Sequence, residues 1–187
     1  MVASSILPVT IYKNKLFFLF GKENEMEDSA KGFSDFGGSV DPGESIIETA
    51  YREGAEELCG FLGNASDVKS LIAKNGGAYE IIHNDYHIHL FFMEYDENLP
   101  LYFTNNHRFL WDRMDKTTLN NSKFFEKQEI SWFSISDLKS RKKEFRSFYQ
   151  EKVDLILKEK GKIHQFVKSK NHFKKSRRTT QKIRGGR

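Results

Sequence analysis

The chain has one cysteine, Cys59, in 187 residues. A single thiol excludes an internal disulfide and any multi-cysteine zinc site. That suits a reducing compartment, and a cytoplasmic or nuclear setting is expected. No 18-residue apolar run is present, so no transmembrane helix is expected. The opening MVASSILPVTIYKNK has no basic stretch ahead of its apolar part and does not read as a signal peptide. No internal repeat is visible.

What the chain does have is charge, unevenly placed. The net charge is +4, yet Lys158 to Arg187 carries twelve Lys and Arg against one acid, Glu159, or +11. The rest therefore carries −7. The length and this division suggest a domain over 1–160 and a basic tail over 161–187. The tail's low apolar content predicts disorder in isolation. Its KKSRR run, with Lys174, Lys175, Arg177 and Arg178, would suit nuclear import or phosphate contacts to RNA that do not depend on sequence.

Residues 5–12 and 15–20 read as strands around a turn at Asn14, and 78–82 and 86–95 as strands around Asn84-Asp85. His83, His87 and His89 cluster there, but with no cysteine nearby they read as strand histidines. Between the two pairs lies GSVDPGESIIETAYREGAEELCG, Gly38 to Gly60. On a helix Glu53, Glu56 and Glu57 share an arc of roughly 100°, and Arg52 pairs with Glu56 at i+4. Ile47, Ala50, Tyr51, Leu58 and Phe61 form an apolar stripe away from them. Three carboxylates on one exposed face invite a hard divalent cation. With each residue type at roughly 7% usage, Gly38, Glu44, Arg52, Glu53, Glu56 and Glu57 coincide by chance about once in 10⁷ windows.

This stretch resembles the Nudix box, the signature of the Nudix hydrolases. The resemblance implies an α/β/α sandwich with a mixed sheet, and hydrolysis of a nucleoside diphosphate linked to another group. It also implies Mg²⁺ or Mn²⁺ held by Glu53, Glu56 and Glu57, with Glu44 supporting the loop or contacting an outer metal. Gly37 and Gly38 would let the backbone approach metal or substrate, and Arg52 would orient the acids. In many relatives a glutamate before a later strand reaches the metal site. Glu129 matches, with Glu126 as substitute. Two departures stand out. Gly54 occupies a position that is usually aliphatic, and Cys59 stands where glycine is expected, which predicts a helix exit one residue later, at Gly60.

Residues 97–128 read as a long insertion whose aromatics either anchor it to the core or bind a base, Trp111 first among them. Lys142 to Lys160 has a helical apolar spacing and should dock on the sheet. The box does not name the leaving group. The basic tail, the aromatic insertion and a loose likeness to decapping Nudix proteins of large DNA viruses, in FSDFGG and the C-terminal extension, favour the 5′ cap of RNA. A small-substrate pyrophosphatase is the alternative, acting on a dinucleoside polyphosphate, nucleotide sugar, damaged nucleotide or diphosphoinositol phosphate. A non-catalytic RNA-binding module is a third reading.

Overall fold

Two tight hairpins frame the sheet. Lys13 and Asn14 both take positive φ, 47° and 61°, and Asn84 and Asp85 repeat the same pair of values. Positive φ at both central residues gives the turn whose twist matches paired strands, and Asn and Asp tolerate it. The first turn joins β1 (Ala3–Tyr12) to β2 (Lys15–Glu23), and the second joins β5 (Ala78–His83) to β6 (Tyr86–Phe92). The computed structural model describes residues 1–25, 30–121 and 125–184, without the side chains of 116, 120, 121 and 171–184.

The seven-stranded sheet runs β3-β2-β1-β6-β5, with β4 (Phe36–Ser39) also pairing β1 and β7 (Lys127–Ser134) pairing β2. β3 is Phe33–Ser34. β1 and β6 run parallel, from Ala3↔Tyr86 to Val9↔Phe92, and the other pairs are antiparallel. The sheet is therefore mixed, as expected. A parallel pair needs a crossover, and here the connection carries the box helix α1 (Ile46–Glu57) and α2 (Ala65–Lys74).

Both faces of the sheet are covered, so its central strands are apolar on both sides. Leu7, Phe18, Phe20, Leu90 and Phe133 face one core, closed by Tyr149, Val153, Ile156, Ile163 and Val167. Ile6, Leu19, Phe91 and Ile130 face the other, closed by Ala50, Leu58, Val68, Ile72 and Phe103. The result is an α/β/α sandwich.

The 97–128 stretch is largely helical. It contains α3 (Leu99–Trp111) and α4 (Lys116–Asn121). Phe103 and Phe125 are buried, and Phe109 is exposed. After β7 and the short α5 (Ile135–Ser140), residues 142–149 form two 3₁₀ turns rather than the start of a helix. Phe145 and Tyr149 still reach the core from those turns. The last helix, α6 (Gln150–Arg184), continues through the expected boundary at 160. Ile163 and Val167 are fully buried, so the fold draws on the first residues of the basic segment.

Candidate active site

The box folds as a capped helix. The Ser45 side chain accepts from the Glu48 N–H, while the Ser45 N–H donates to the Glu48 carboxylate at 3.0 Å. This reciprocal cap fixes where α1 starts. Gly54 lets α1 lie close on β1, since a Cβ there would stand 2.3 Å from Ile6 Cδ1. An aliphatic residue, usual at that position, would not fit this approach. The exit corrects the expected delay. α1 ends at Glu57 with Leu58 as C-cap, and Cys59 itself takes φ 49°. Cys59 thus adopts the left-handed conformation that glycine adopts without steric cost, and Gly60 follows at φ 73°.

Arg52 gathers the outer acids. Its Nε and Nη2 donate to Glu44 at 3.0 and 2.9 Å, a bidentate pair, and Nη1 donates to Glu53 at 2.7 Å and Glu56 at 3.4 Å. Asp41 lies 3.4 Å from Nη2. Hydrogen bonds from Arg52 and Thr49 pull the Glu44 carboxyl down to about 2. The same Glu44 contact raises Arg52 further above its ordinary value. Gly38 fits beside this group because a Cβ there would stand 2.5 Å from Glu53 Oε1.

Glu57 belongs to a second, buried group. It lies at the C-terminal end of α1, where the helix dipole disfavours negative charge, and the last turn contains no basic residue. The compensating cation comes from β7. Lys127, 0% exposed, sits 3.1 Å from Glu57 Oε1 and donates to Ser34 Oγ at 3.0 Å and to Glu23. Arg146 donates to the same Glu23 oxygen at 2.6 Å. The Gly37 N–H holds the other Glu57 oxygen at 2.8 Å. Burial pushes the Glu57 carboxyl up to about 8, against the pull of Lys127. Burial also works to lower Lys127, but the charges of Glu57 and Glu23 outweigh it and hold the ammonium above its ordinary value.

The structure brings together Arg52, Glu44, Glu53 and Glu56, and it sets Gly37 and Gly38 against the box acids. Glu57 departs from the expected exposed face, being only 4% exposed. Glu129 is not with them. It pairs with Lys22 at 4.0 Å, with its side chain 41% exposed. The strand explains this: the β2–β7 register shifts between Lys22↔Glu129 and Glu23↔Lys127, a bulge that turns Lys127 toward α1. Glu126 lies near enough for its charge to act on Glu57. Trp111 stacks on His107 with ring centroids 5.3 Å apart. His107 in turn lies 3.5 Å from Asn24, the neighbour of Glu23. The side chains of Lys174, Lys175, Arg177 and Arg178 lie outside the described residues. Lys127 and Glu23 are the residues sequence reasoning missed. The one local signal was an acid ending the apolar run of β2.

Among the described residues, no three His, Cys, Asp or Glu side chains converge as ligands for a metal. Arg52 and Lys127 already engage these acids. The donors nonetheless fit a hard divalent cation, which takes oxygen ligands. The Lys127 ammonium is a stand-in, a cation already surrounded by two carboxylates and a hydroxyl. The His87 ring pairs instead with Glu80, at 2.8 Å.

Residues 5–153 match the family profile described as NUDIX domain. No curated protein matches the chain. Among solved structures, an Ap4A hydrolase of C. elegans in a binary complex is 14% identical, with a TM-score of 0.47 over 87% of this chain and 97% of that one. A NUDIX hydrolase from Nitrosomonas europaea is 17% identical, with a TM-score of 0.38 over 82% and 86%. NrtR of Shewanella oneidensis, complexed with a 27mer DNA, is 13% identical, with a TM-score of 0.41 over 88% and 62%.

Proposed function

The chain belongs to the Nudix domain family, and on that premise we propose that it hydrolyses the phosphoanhydride of the 5′ cap of RNA, releasing a methylated guanosine diphosphate. Membership makes the chain a phosphoanhydride hydrolase, in a family that generally uses divalent metals such as Mg²⁺ or Mn²⁺. Glu53, Glu56 and Glu57 are the proposed oxygen ligands, with Glu44 behind them and the Gly37 and Gly38 backbone beside them. When bound, such a cation neutralises phosphate charge and lowers the pKa of water. Arg52 aims Glu53 and Glu56. The proton-accepting carboxylate is proposed to come from α1, Glu53 or Glu57, or from the start of β7, where Glu126 rather than the exposed Glu129 lies toward Glu57.

One observation carries the choice of substrate. Beyond Val167, the last fully buried residue among the described side chains, α6 runs on to Arg184, about 25 Å at 1.5 Å per residue. This extension has no acid and holds Lys174, Lys175, Arg177 and Arg178. A basic arm fixed to an acidic body favours a long anionic substrate. Trp111 is the proposed base-stacking residue.

The test uses RNA with a radiolabelled methylated cap, incubated with Mg²⁺ or Mn²⁺, followed by chromatography. Wild type releases methylated guanosine diphosphate. Removing 171–187 lowers cleavage of capped RNA at moderate salt and leaves free nucleotides unaffected. Truncation at 162 would be uninformative, since it strips Ile163 and Val167 from the core. RNA binding with no turnover would favour the non-catalytic reading.

A second reading has its own support. A cavity of about 580 Å³, lined by Arg52, Ala55, Glu56, Gly60, Gly63 and Asn64, adjoins the outer acids. That volume suits a small ligand. If capped RNA is untouched, a panel of dinucleoside polyphosphates, nucleotide sugars and damaged nucleotides comes next.

A further inference from the structure

We propose that Lys127 is a resident cation of this site: its ammonium holds Glu57 until a divalent ion displaces it, and so sets the affinity for that ion. The inference rests on the functional reading above, because it takes Glu57 as a metal ligand.

The site is built around the lysine. An ammonium has three hydrogens, and Lys127 finds three oxygen partners, Glu57, Glu23 and Ser34. Gly21 makes room for its stem, since a Cβ there would stand 2.9 Å from Lys127 Cγ. The bulge in β7 aims it at the box helix. Four parts of the fold, β2, β3, α1 and β7, therefore cooperate to place one positive charge on one carboxylate.

The partners are arranged for exchange. Glu57 has one oxygen on the Gly37 N–H and the other on Lys127. A divalent ion at Glu57 would stand against the ammonium, and two cations at that distance repel strongly. Lys127 has a second anchor in Glu23, itself fixed by Arg146 at 2.6 Å. Released from Glu57, the ammonium keeps Glu23 and Ser34 and need not enter water. Arg52 offers no such retreat. Its contacts are all with groups at the mouth of the site, Ser39, Asp41 and the outer glutamates, and it orients them without blocking Glu57.

Calorimetric titration of Mg²⁺ into the full chain at pH 8.5 tests this without any substrate. With the affinity corrected for protons released on binding, Lys127→Met is expected to bind Mg²⁺ at least about tenfold more tightly than wild type, since a neighbouring positive charge is gone. Lys127→Arg, which keeps the charge, should stay within about threefold of wild type. A merely structural lysine would change the melting temperature in Lys127→Met and leave Mg²⁺ affinity equal or weaker, and that result overturns the proposal. If Lys127→Met does not fold, the wild type decides. With ¹⁵N-lysine, the buried ammonium, assigned by its loss in Lys127→Arg, should give a slowly exchanging signal that moves on saturation with Mg²⁺. A signal unmoved by bound Mg²⁺ overturns the proposal. Because both readouts are binding, absence of cap cleavage counts against the functional reading and leaves this one standing.

Discussion

Arg52 and Lys127 each gather carboxylates, but from different distances along the chain and at different depths. Arg52 reaches Glu44, Glu53 and Glu56, all within eight residues of it, at a partly open mouth. Lys127 reaches Glu23 across 104 residues, and both it and Glu57 are buried. The outer group is made by one turn-and-helix segment. The inner one exists only once β2, β3, α1 and β7 have assembled. Metal ligands drawn from both groups would tie a local motif to the integrity of the whole sheet.

This contrast can be broken from the inside first. Lys127→Met leaves Glu57 and Glu23 buried without their shared cation. Removing one partner of a buried ion pair costs about 3–5 kcal/mol. Denaturant unfolding of the metal-free protein should show a loss of that size. A loss under 1 kcal/mol would mean the inner group is not a coupled unit. Arg52→Gln is the matching change outside. It removes charged hydrogen bonds near solvent, and about 1.5–3 kcal/mol is expected. If it matched or exceeded the loss in Lys127→Met, the order of the two clusters would be reversed.

A smaller effect sharpens the outer group alone. Glu44 is held down to about 2 by Arg52 and Thr49, below the 4.5 of a free glutamate. A depressed carboxylate contributes stability that is fully present above about pH 4.5 and lost as pH falls toward 2. The stability gap between wild type and Glu44→Gln, on the order of 1 kcal/mol, should therefore hold from pH 7 to about 5 and close by about 2. A gap independent of pH would show that Glu44 acts through packing rather than charge.

The two groups also differ in how visible they were in the sequence. The Arg52–Glu56 pair and the shared face of Glu53 and Glu56 follow from helical spacing, and the hairpins follow from Asn14 and Asn84-Asp85, because in each case the physics is local; Glu44, ahead of the helix, came only with the family motif. Glu129 was the natural strand-proximal acid, yet the bulge beside it changes which residue faces α1, as any one-residue slip in a strand does. No composition or period marks that bulge. Lys127 is a charged residue at the start of a strand, and only Glu57 and Glu23, brought close by folding, explain its burial. The 97–128 stretch was opaque for another reason. Its apolar residues point both ways: α3 buries Phe103 and leaves Leu101, Tyr102 and Phe109 exposed. Lys142 to Tyr149 satisfies a helical spacing with 3₁₀ turns, which place Phe145 and Tyr149 in the core equally well.

The most direct measurement is the Mg²⁺-dependent hydrolysis rate of Glu57→Gln beside Glu129→Gln, on the substrate that the wild-type chain cleaves. Glutamine keeps the shape and removes the charge at each position. If the buried, Lys127-held carboxylate is part of the catalytic site, Glu57→Gln should lose at least about 100-fold in rate while staying folded. Glu129→Gln, changed on the Lys22 side of the strand, should stay within about threefold of wild type. The reverse pattern, with Glu129→Gln inactive and Glu57→Gln active, would contradict the account.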